Sequence, residues 1–303
     1  MAMKGIILAG GAGTRLYPLT IVTSKQLLPV YNKPMIYYPL STLMLANIRE
    51  VLVISTPEDT PRIKELLGTG AALGMHLEYA VQEKPEGLAQ AFTIGKDFIG
   101  DDCCAMVLGD NIFYGNGLGY KLAAATKAAE QGKATVFGYY VEDPERFGVI
   151  EFEHGKRADD ESMKVISVEE KPRNPKSNYA IVGLYFYPPG VSEMAAKVTP
   201  SARGELEITT LNDMYLQENR LDAQLFGRGF TWMDAGTIDS LRRATNFVCM
   251  IEQYQGMTIS APEEIAFRYG WINKEKLLEN AERYGKSPYG EHLRAVAEGK
   301  VLG

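Results

Sequence analysis

Short apolar runs and helix-period segments take turns along the first two-thirds of this chain. The runs at 4–8, 50–55, 77–81, 104–108 and 134–141 have the length of buried strands. Between them, helical patterns lie near 35–47, 59–67, 87–98 and 117–131. Pro34 suits the first turn of the first helix, and Pro39 marks a kink or a later start. Such alternation predicts right-handed crossovers and a mostly parallel sheet covered by helices on both faces, a Rossmann-like α/β arrangement. After residue 141 the pattern changes. Segments 148–153, 164–169 and 180–187 alternate like antiparallel strands, with Gly155-Lys156 and acidic residues as turns. Helical stretches follow near 190–197 and 205–219, then a short strand pair at 221–227 and 230–233, then a long helix over 237–256. Residues 258–303 read as short helices, for example 274–283 and 289–298. This tail is too small for a core of its own, so it is expected to pack on the main body or on a second subunit. The organisation expected is a main α/β domain over 1–257, in two halves of about 1–141 and 142–257, with a helical appendage at 258–303.

Composition narrows the class. At 303 residues, 46% hydrophobic and 23% charged, the chain is ordinary for a globular protein. A net charge of −6 argues against nonspecific nucleic-acid binding, though it leaves room for a local basic site. No apolar stretch is long enough to cross a membrane, and the apolar part of the N-terminus is too short for a signal core, so a cytoplasmic protein is expected. Cys103, Cys104 and Cys249 show no metal-ligand spacing and read as small hydrophobes in a reducing compartment. His76, His154 and His292 stand alone, outside every glycine-rich or acidic motif, so the chemistry should not use a histidine.

The first apolar run leads straight into Gly10-Gly11-Ala12-Gly13-Thr14-Arg15. Consecutive glycines after a strand let backbone N–H groups converge on an anion, and Arg15 and Lys25 add fixed positive charge. A Walker loop is excluded, because no Gly-Lys-Ser/Thr stands at the required spacing. A dinucleotide fingerprint is excluded as well, because Leu16 occupies the third small position and 51–55 ends without an acidic residue. The loop therefore reads either as a plain glycine turn or as a triphosphate grip, and the two cations favour the grip.

Further motifs close other strands. In parallel sheets the ligand crevice lies beyond the carboxyl ends of strands, which puts 10–15, 82–87 and 109–110 along one edge. Asp110, after the run 105–107, is placed either to hold Mg²⁺ or to close a turn. Asp234 in WMDAGT is a second metal carboxylate or a helix cap, a role Thr237 also fits. Glu170 and Lys171 form either a solvated turn or a sugar-hydroxyl and phosphate pair, with Pro172 ending the strand sharply. Arg203 offers a guanidinium fork for phosphate, or belongs to a solvated helix start capped by Ser201. Gln82 can donate to and accept from a pyrimidine edge, with Gly87 letting a base approach the backbone; the alternative is a loop before a helix.

Taken with their surroundings, these residues resemble the sugar nucleotidyltransferase family, and most of all its thymidylyl branch. The resemblance covers nearly the whole chain through GIILAGGAGTRLYP, SKQLLPVYNKPMIYYPLSTLML, PEGLAQAF, LGDNIFYG, DPERFGVIEF, EEKPRNPKSNYAIVGLYFY, RGELEIT and WMDAGT. The first motif is shared widely; the second, with PEGLAQAF and RGELEIT, is typical of the thymidylyl branch. The resemblance implies an inserted antiparallel sugar-binding region and a small C-terminal helical region, with the nucleotide in the first half and the sugar phosphate in the second. It implies that Gly10, Gly11, Gly13 and Thr14 cradle the nucleotide phosphates, with Arg15 and Lys25 on the triphosphate. Gln82 and Gly87 would read thymine, and Asp110 and Asp234 would bind Mg²⁺. Gly148, Glu170 and Ile181 would hold glucose, and Lys171 and Arg203 its phosphate. Arg15, Lys25 and Lys171 are the implied catalytic cations. A homotetramer is implied, with feedback by dTDP-rhamnose at a subunit-interface site matched by Tyr114, Gly115 and Arg228. Two departures stand out: Phe147 where Tyr is frequent, and Ala235 where Thr is common.

The activity so implied is attack by the phosphate of glucose 1-phosphate on the α-phosphorus of dTTP, releasing pyrophosphate and giving dTDP-glucose, toward dTDP-rhamnose. The nucleophile's second pKa is about 6, so it is already an anion near neutrality and needs no general base. Two other readings differ in substrate or class. A UTP-using uridylyltransferase is separated from dTTP use by one methyl group, worth about 1–3 kcal/mol. A non-catalytic nucleotide-sugar sensor would be expected to lack a metal carboxylate or leaving-group cation, yet Asp110, Asp234, Arg15 and Lys25 are all present.

Overall fold

The computed structural model describes residues 2–153 and 163–301, so His154 and the expected 155–156 turn lie outside the described residues. In chain order the strands are β1 (Met3–Leu8), β2 (Pro29–Val30), β3 (Lys33–Pro34), β4 (Glu50–Ser55), β5 (His76–Val81), β6 (Cys103–Leu108) and β7 (Asn111–Gly115), then β8 (Ala134–Tyr140), β9 (Gly148–Phe152), β10 (Met163–Glu170), β11 (Tyr179–Tyr187), β12 (Leu221–Phe226) and β13 (Phe230–Asp234). The class is α/β, a mixed sheet that combines parallel and antiparallel strand pairs, with helices about it.

The chain forms two compact units. The first comprises Met1–Leu8, Gln82–Leu108 and Tyr114–Trp232. Within it the strand order is β1-β6-β11-β8-β12-β10-β9. β1 runs parallel to β6, with Met3 opposite Cys103 and Leu8 opposite Leu108, and β8 runs parallel to β12. β11 lies antiparallel to both β6 and β8, and its run of buried residues from Ala180 to Tyr187 suits a strand flanked on both edges. β10 pairs antiparallel with β9 and β12. The helices Leu118–Glu130 and Ile208–Gln217 cover this sheet, the first on β8 and β11, the second on β10 and β12. Cys103 and Cys104 are buried in β6, and burial raises both thiols, Cys103 to about 11.

The second unit comprises Ala9–Val81, Gly109–Phe113 and Met233–Gly303. β4 and β5 pair in parallel, β2 and β3 form a small hairpin, and the helix Tyr37–Leu45 packs on Pro262–Arg268. The C-terminal helices pack on this body. Tyr37 meets Tyr289 with ring centroids 6.4 Å apart, Asn280 Nδ2 donates to the Ala72 carbonyl at 2.7 Å, and the Arg49 guanidinium lies 5.4 Å from the Trp271 ring.

Several elements differ from the sequence reading. Residues 221–227 and 230–233 do not pair with each other. β12 is buried along nearly its whole length between β8 and β10, both of its edges are taken, and β13 therefore pairs with β7. β7 was not among the strands expected from the sequence. Pro34 sits in β3 rather than in a helix. The helix begins at Tyr37, which puts Pro39 in its first turn, where a missing N–H costs nothing. The pattern at 87–98 resolves into Gln90–Ile94 and Lys96–Ile99, broken at Gly95, a poor helix residue.

One buried ion pair locks the hairpin to the long helix Ile238–Gln255. Lys33 Nζ lies 2.9 Å from Glu252 Oε1, with side chains only 2% and 8% exposed. Asn32 Nδ2 donates to Glu252 Oε2 at 2.7 Å, and the Ile259 N–H donates to Oε1 at 2.9 Å. Burial lowers the Lys33 pKa, with Glu252 opposing it. Removing one partner of such a pair strands the other. Glu252→Ala is therefore expected to cost roughly 3–5 kcal/mol. Urea unfolding should show this as a lower midpoint at unchanged slope, and a midpoint like that of the parent would contradict the ion pair's role.

Candidate active site

In the second unit the glycine loop is fixed at both ends. The Ala9 N–H donates to the Ile54 carbonyl at 2.7 Å, and the Ser55 hydroxyl donates to the Ala9 carbonyl at 2.9 Å. Gly11 and Gly13 adopt φ of 96° and 59°, the left-handed region that L side chains avoid. The Thr20 hydroxyl donates to the Gly13 carbonyl at 2.7 Å. One short turn, Thr14–Leu16, follows; Leu16 is buried, which leaves Thr14 and Arg15 exposed. A second short turn, Lys25–Leu27, is capped by Ser24 and presents Lys25.

Lys25 Nζ forms an ion pair with Asp110 Oδ2, and Asn111 Nδ2 donates to Asp110 Oδ1 at 3.0 Å. Burial pushes the Asp110 carboxyl up, but the charge and hydrogen bond of Lys25 outweigh it and hold it below the ordinary carboxylate value. The Ala235 N–H donates to the Asp110 carbonyl at 2.9 Å, which brings the WMDAGT segment alongside. Asp234 does not cap the following helix. Thr237 does, in a capping box with Ser240, so the Asp234 carboxylate is left for the site and accepts from the Gly236 N–H at 2.9 Å. A Cβ at Gly236 would lie 2.8 Å from an Arg15 guanidinium nitrogen, 2.8 Å from Asp234 Oδ1 and 3.4 Å from Asp110 Oδ2. Arg15, Asp110 and Asp234 thus crowd one point that only glycine leaves open. Burial raises the Asp234 pKa and the Asp110 charge raises it further, against the smaller pull of Lys25 and Arg15. Two neighbouring carboxylates are the donor type that suits a hard divalent cation, which keeps water and takes phosphate oxygens as its other ligands. Among the described residues no cluster of three or more His, Cys, Asp or Glu offers a closed protein cage instead.

In the first unit, the β9–β10 register sets Gly148 opposite Glu170. Thr209 Oγ1 donates to Glu170 Oε2 at 2.5 Å, while Glu170 Oε1 lies 3.4 Å from Arg203 Nη1 and 3.7 Å from Lys171 Nζ. A Cβ at Gly148 would come 2.9 Å from Thr209 Oγ1, 3.3 Å from Glu170 Oε2 and 3.8 Å from Ile181 Cδ1. Gly148, Glu170, Ile181, Lys171 and Arg203 are therefore brought together. Lys171 takes a left-handed φ of 43° and its N–H donates to the Phe147 carbonyl at 2.9 Å. Arg203 is also held by Glu205 at 2.9 Å and Glu207 at 3.7 Å. Ser201 does not cap a helix; its hydroxyl donates to Glu207 Oε1 at 2.8 Å and shapes the loop.

The 82–90 loop belongs to the same unit. Gly87 has φ of 126°, and the space of its missing Cβ is filled by the Leu206 backbone. The Leu206 N–H donates to the Glu86 carbonyl at 2.6 Å, and the Ala89 N–H donates to the Leu206 carbonyl at 3.1 Å. PEGLAQ and RGELEIT are thus stitched together by backbone. Gln82 is buried and hydrogen-bonded to Gln90. At the β7–β13 end, a Cβ on Gly115 would meet the Phe230 ring, two residues from the exposed Arg228, while Tyr114 is half-buried.

Four polar residues escaped the sequence reading. Gln26 is 1% exposed and its amide nitrogen has no partner among the described residues, although its oxygen accepts from Ser24. Its place beside Lys25 was its one signal. Thr209, Asn111 and Gln90 act on Glu170, Asp110 and Gln82, contacts that sequence spacing does not reveal. The two departures are quiet: Phe147 packs on Trp232 at 5.3 Å, and Ala235 is fully buried, contributing its backbone N–H.

The model of the family described as nucleotidyl transferase matches residues 4–250. A glucose-1-phosphate thymidylyltransferase of Neisseria meningitidis is 55% identical over 291 residues, spanning 96% of this chain and 98% of that protein. One from Mycobacterium tuberculosis is 52% identical over 296 residues, spanning 98% of this chain and 99% of its own length. Among solved structures, a candidate glucose-1-phosphate thymidylyltransferase from Bacillus anthracis superposes with a TM-score of 0.71 at 41% identity, covering 81% of this chain and 95% of that one. A UDP-glucose pyrophosphorylase in complex with UDP-glucose shares the fold, with a TM-score of 0.73 at 23% identity over 83% of this chain and 100% of that one. The chain belongs to the nucleotidyltransferase family, as an enzyme that groups with its glucose-1-phosphate thymidylyltransferases.

Proposed function

We propose that this enzyme transfers a thymidylyl group from dTTP to α-D-glucose 1-phosphate with Mg²⁺, giving dTDP-glucose and pyrophosphate, the first step toward dTDP-L-rhamnose and other dTDP-sugars. The reading rests above all on the meeting of Arg15, Asp110 and Asp234 around Gly236. Asp110 and Asp234 would hold Mg²⁺, which when bound supplies positive charge to crowded phosphoryl oxygens. Gly10, Gly11, Gly13 and Thr14 bind the triphosphate by backbone and hydroxyl groups. Arg15 and Lys25 carry the charge that builds on the departing pyrophosphate. Gln82 and Gly87 read the base. Gly148, Glu170 and Ile181 seat the sugar, with Glu170 accepting from its hydroxyls, and Lys171 and Arg203 bind its phosphate.

Such a donor set fits an attack that needs no general base. The nucleophilic phosphate arrives ionised. His76 and His292 are taken up by Glu78 at 3.1 Å and Glu264 at 2.6 Å. The task left to the protein is to offset repulsion between two anions and hold them in line. The same reading extends to a cytoplasmic homotetramer, with Tyr114, Gly115 and Arg228 binding dTDP-rhamnose at a subunit interface.

Pyrophosphate release with dTTP, UTP, CTP and a small set of sugar 1-phosphates tests the assignment. Preference for dTTP with glucose 1-phosphate is expected, and preference for another pair would overturn it. Asp110→Asn and Arg15→Ala should each lower turnover at least about 100-fold while the circular-dichroism spectrum stays that of the folded parent. Near-parent turnover in either would refute the metal or leaving-group role. Thr209→Val removes the donor that fixes Glu170 Oε2. It should raise KM for glucose 1-phosphate about tenfold and leave KM for dTTP alone; an unmoved sugar KM would remove Thr209 from the account.

A further inference from the structure

We infer that Gln90, which nothing above places in contact with substrate, sets which pyrimidine the enzyme accepts by fixing the orientation of the Gln82 amide. This deepens the proposed function and rests on Gln82 as the reader of the base. Two groups on Glu86 have an unambiguous hydrogen-bond sense. The Glu86 N–H can only donate, and it donates to Gln90 Oε1 at 3.2 Å. The Glu86 carboxylate, when ionised, can only accept, and Gln90 Nε2 donates to its Oε2 at 2.9 Å. One residue thus clamps both ends of the Gln90 amide, oxygen on the N–H and nitrogen on the carboxylate. Turning Gln90 over would set oxygen against carboxylate and NH₂ against N–H, losing both bonds.

With Gln90 so fixed, its Oε1 has room for a donor only. Gln82 meets it with Nε2 at 2.7 Å. Gln82 is 5% exposed, so an inverted amide would press two acceptor oxygens together in a nearly dry place. Its sense is therefore set as well. Gln82 keeps Oε1 as an acceptor and one Nε2 hydrogen as a donor for a ligand. An adjacent acceptor and donor match the N3–H and a carbonyl of thymine. Cytosine carries a bare N3, which would face Oε1 as acceptor against acceptor, and a free Gln82 could escape that clash only by turning over. Uracil presents the same edge as thymine. The device therefore sorts keto pyrimidines from amino pyrimidines and leaves the thymine methyl to other contacts.

Glu86, Gly87 and Ala89 are held by the Leu206 backbone, so the clamp sits on a rigid loop. Gln90 is a positioning residue, and its removal should act through selectivity. In Gln90→Leu, the ratio of kcat/KM for dTTP to that for CTP should fall about tenfold, the scale of one hydrogen bond. KM for dTTP should rise and KM for glucose 1-phosphate should stay at its parent value. The reciprocal exchange, Glu86→Gln with Gln90→Glu, keeps a donor facing an acceptor at the clamp and should restore the ratio, which a purely structural role would not do. An unchanged dTTP-to-CTP ratio in Gln90→Leu, or no recovery in the double exchange, overturns the inference. Gln82→Leu separates the two ideas. If it leaves dTTP kinetics at parent values, Gln82 is not the base reader and the underlying reading fails. If it impairs them while Gln90→Leu does not, only the clamp is wrong.

Discussion

The ion pair between Lys25 and Asp110, set beside Asp234, governs the chemistry of the second unit. A buried carboxylate, Asp110, and a half-buried one, Asp234, flank the Gly236 position, and one lysine cannot satisfy both. Asp110 takes the lysine and is held ionised; Asp234 is left with burial and a neighbouring like charge, which raise its pKa. The unfavourable interaction is thus local, two carboxylates close together, although Lys25 and Arg15 balance them in number. Arg15 stands at the same point. Local folding makes this possible. Thr237 and Ser240 cap the helix between themselves, so Asp234 is not consumed as a cap, and the Ala235 N–H holds its segment to the Asp110 carbonyl.

The first unit solves a different problem with the same means. Glu170 needs one oxygen oriented and the other near cations, and it has Thr209 on one side with Arg203 and Lys171 on the other. Arg203 is held among Glu170, Glu205 and Glu207, which fixes where its guanidinium lies. Exposed pairs of this kind add little stability. Their value is geometric: they limit the positions a long side chain samples. The backbone stitch through Leu206 ties the loop bearing Gln82 to the loop bearing Arg203.

Much of the fold was legible because burial writes itself into sequence. Continuous apolar runs such as 4–8, 50–55 and 104–108 became strands β1, β4 and β6 within a residue of the expected bounds. The charged motifs were legible only as candidates: a glycine run before Arg15 and an Asp after a buried strand each also fit a plain turn, and it takes the structure to bring Arg15, Asp110 and Asp234 together. Partnership between elements was not legible. β12 and β13 are adjacent and strand-like, yet nothing in their composition says that both edges of β12 are already taken. Gln26, Thr209 and Gln90 are ordinary polar residues whose importance lies in what they face. Gly236 drew no reading from the sequence, and the gathering of three charges around it needs coordinates to see.

Gly236 also offers the most direct measurement. Its backbone lies outside the left-handed region, so alanine fits the chain, but the added methyl would fall 2.8 Å from both Arg15 and Asp234. With Gly236→Ala, steady-state pyrophosphate release should fall at least about tenfold while the unfolding midpoint stays at the parent value, because charged groups displaced by a fraction of an ångström lose their alignment. Turnover equal to that of the parent enzyme would show that these three charges do not have to meet at one point, and the account built on their meeting would be wrong.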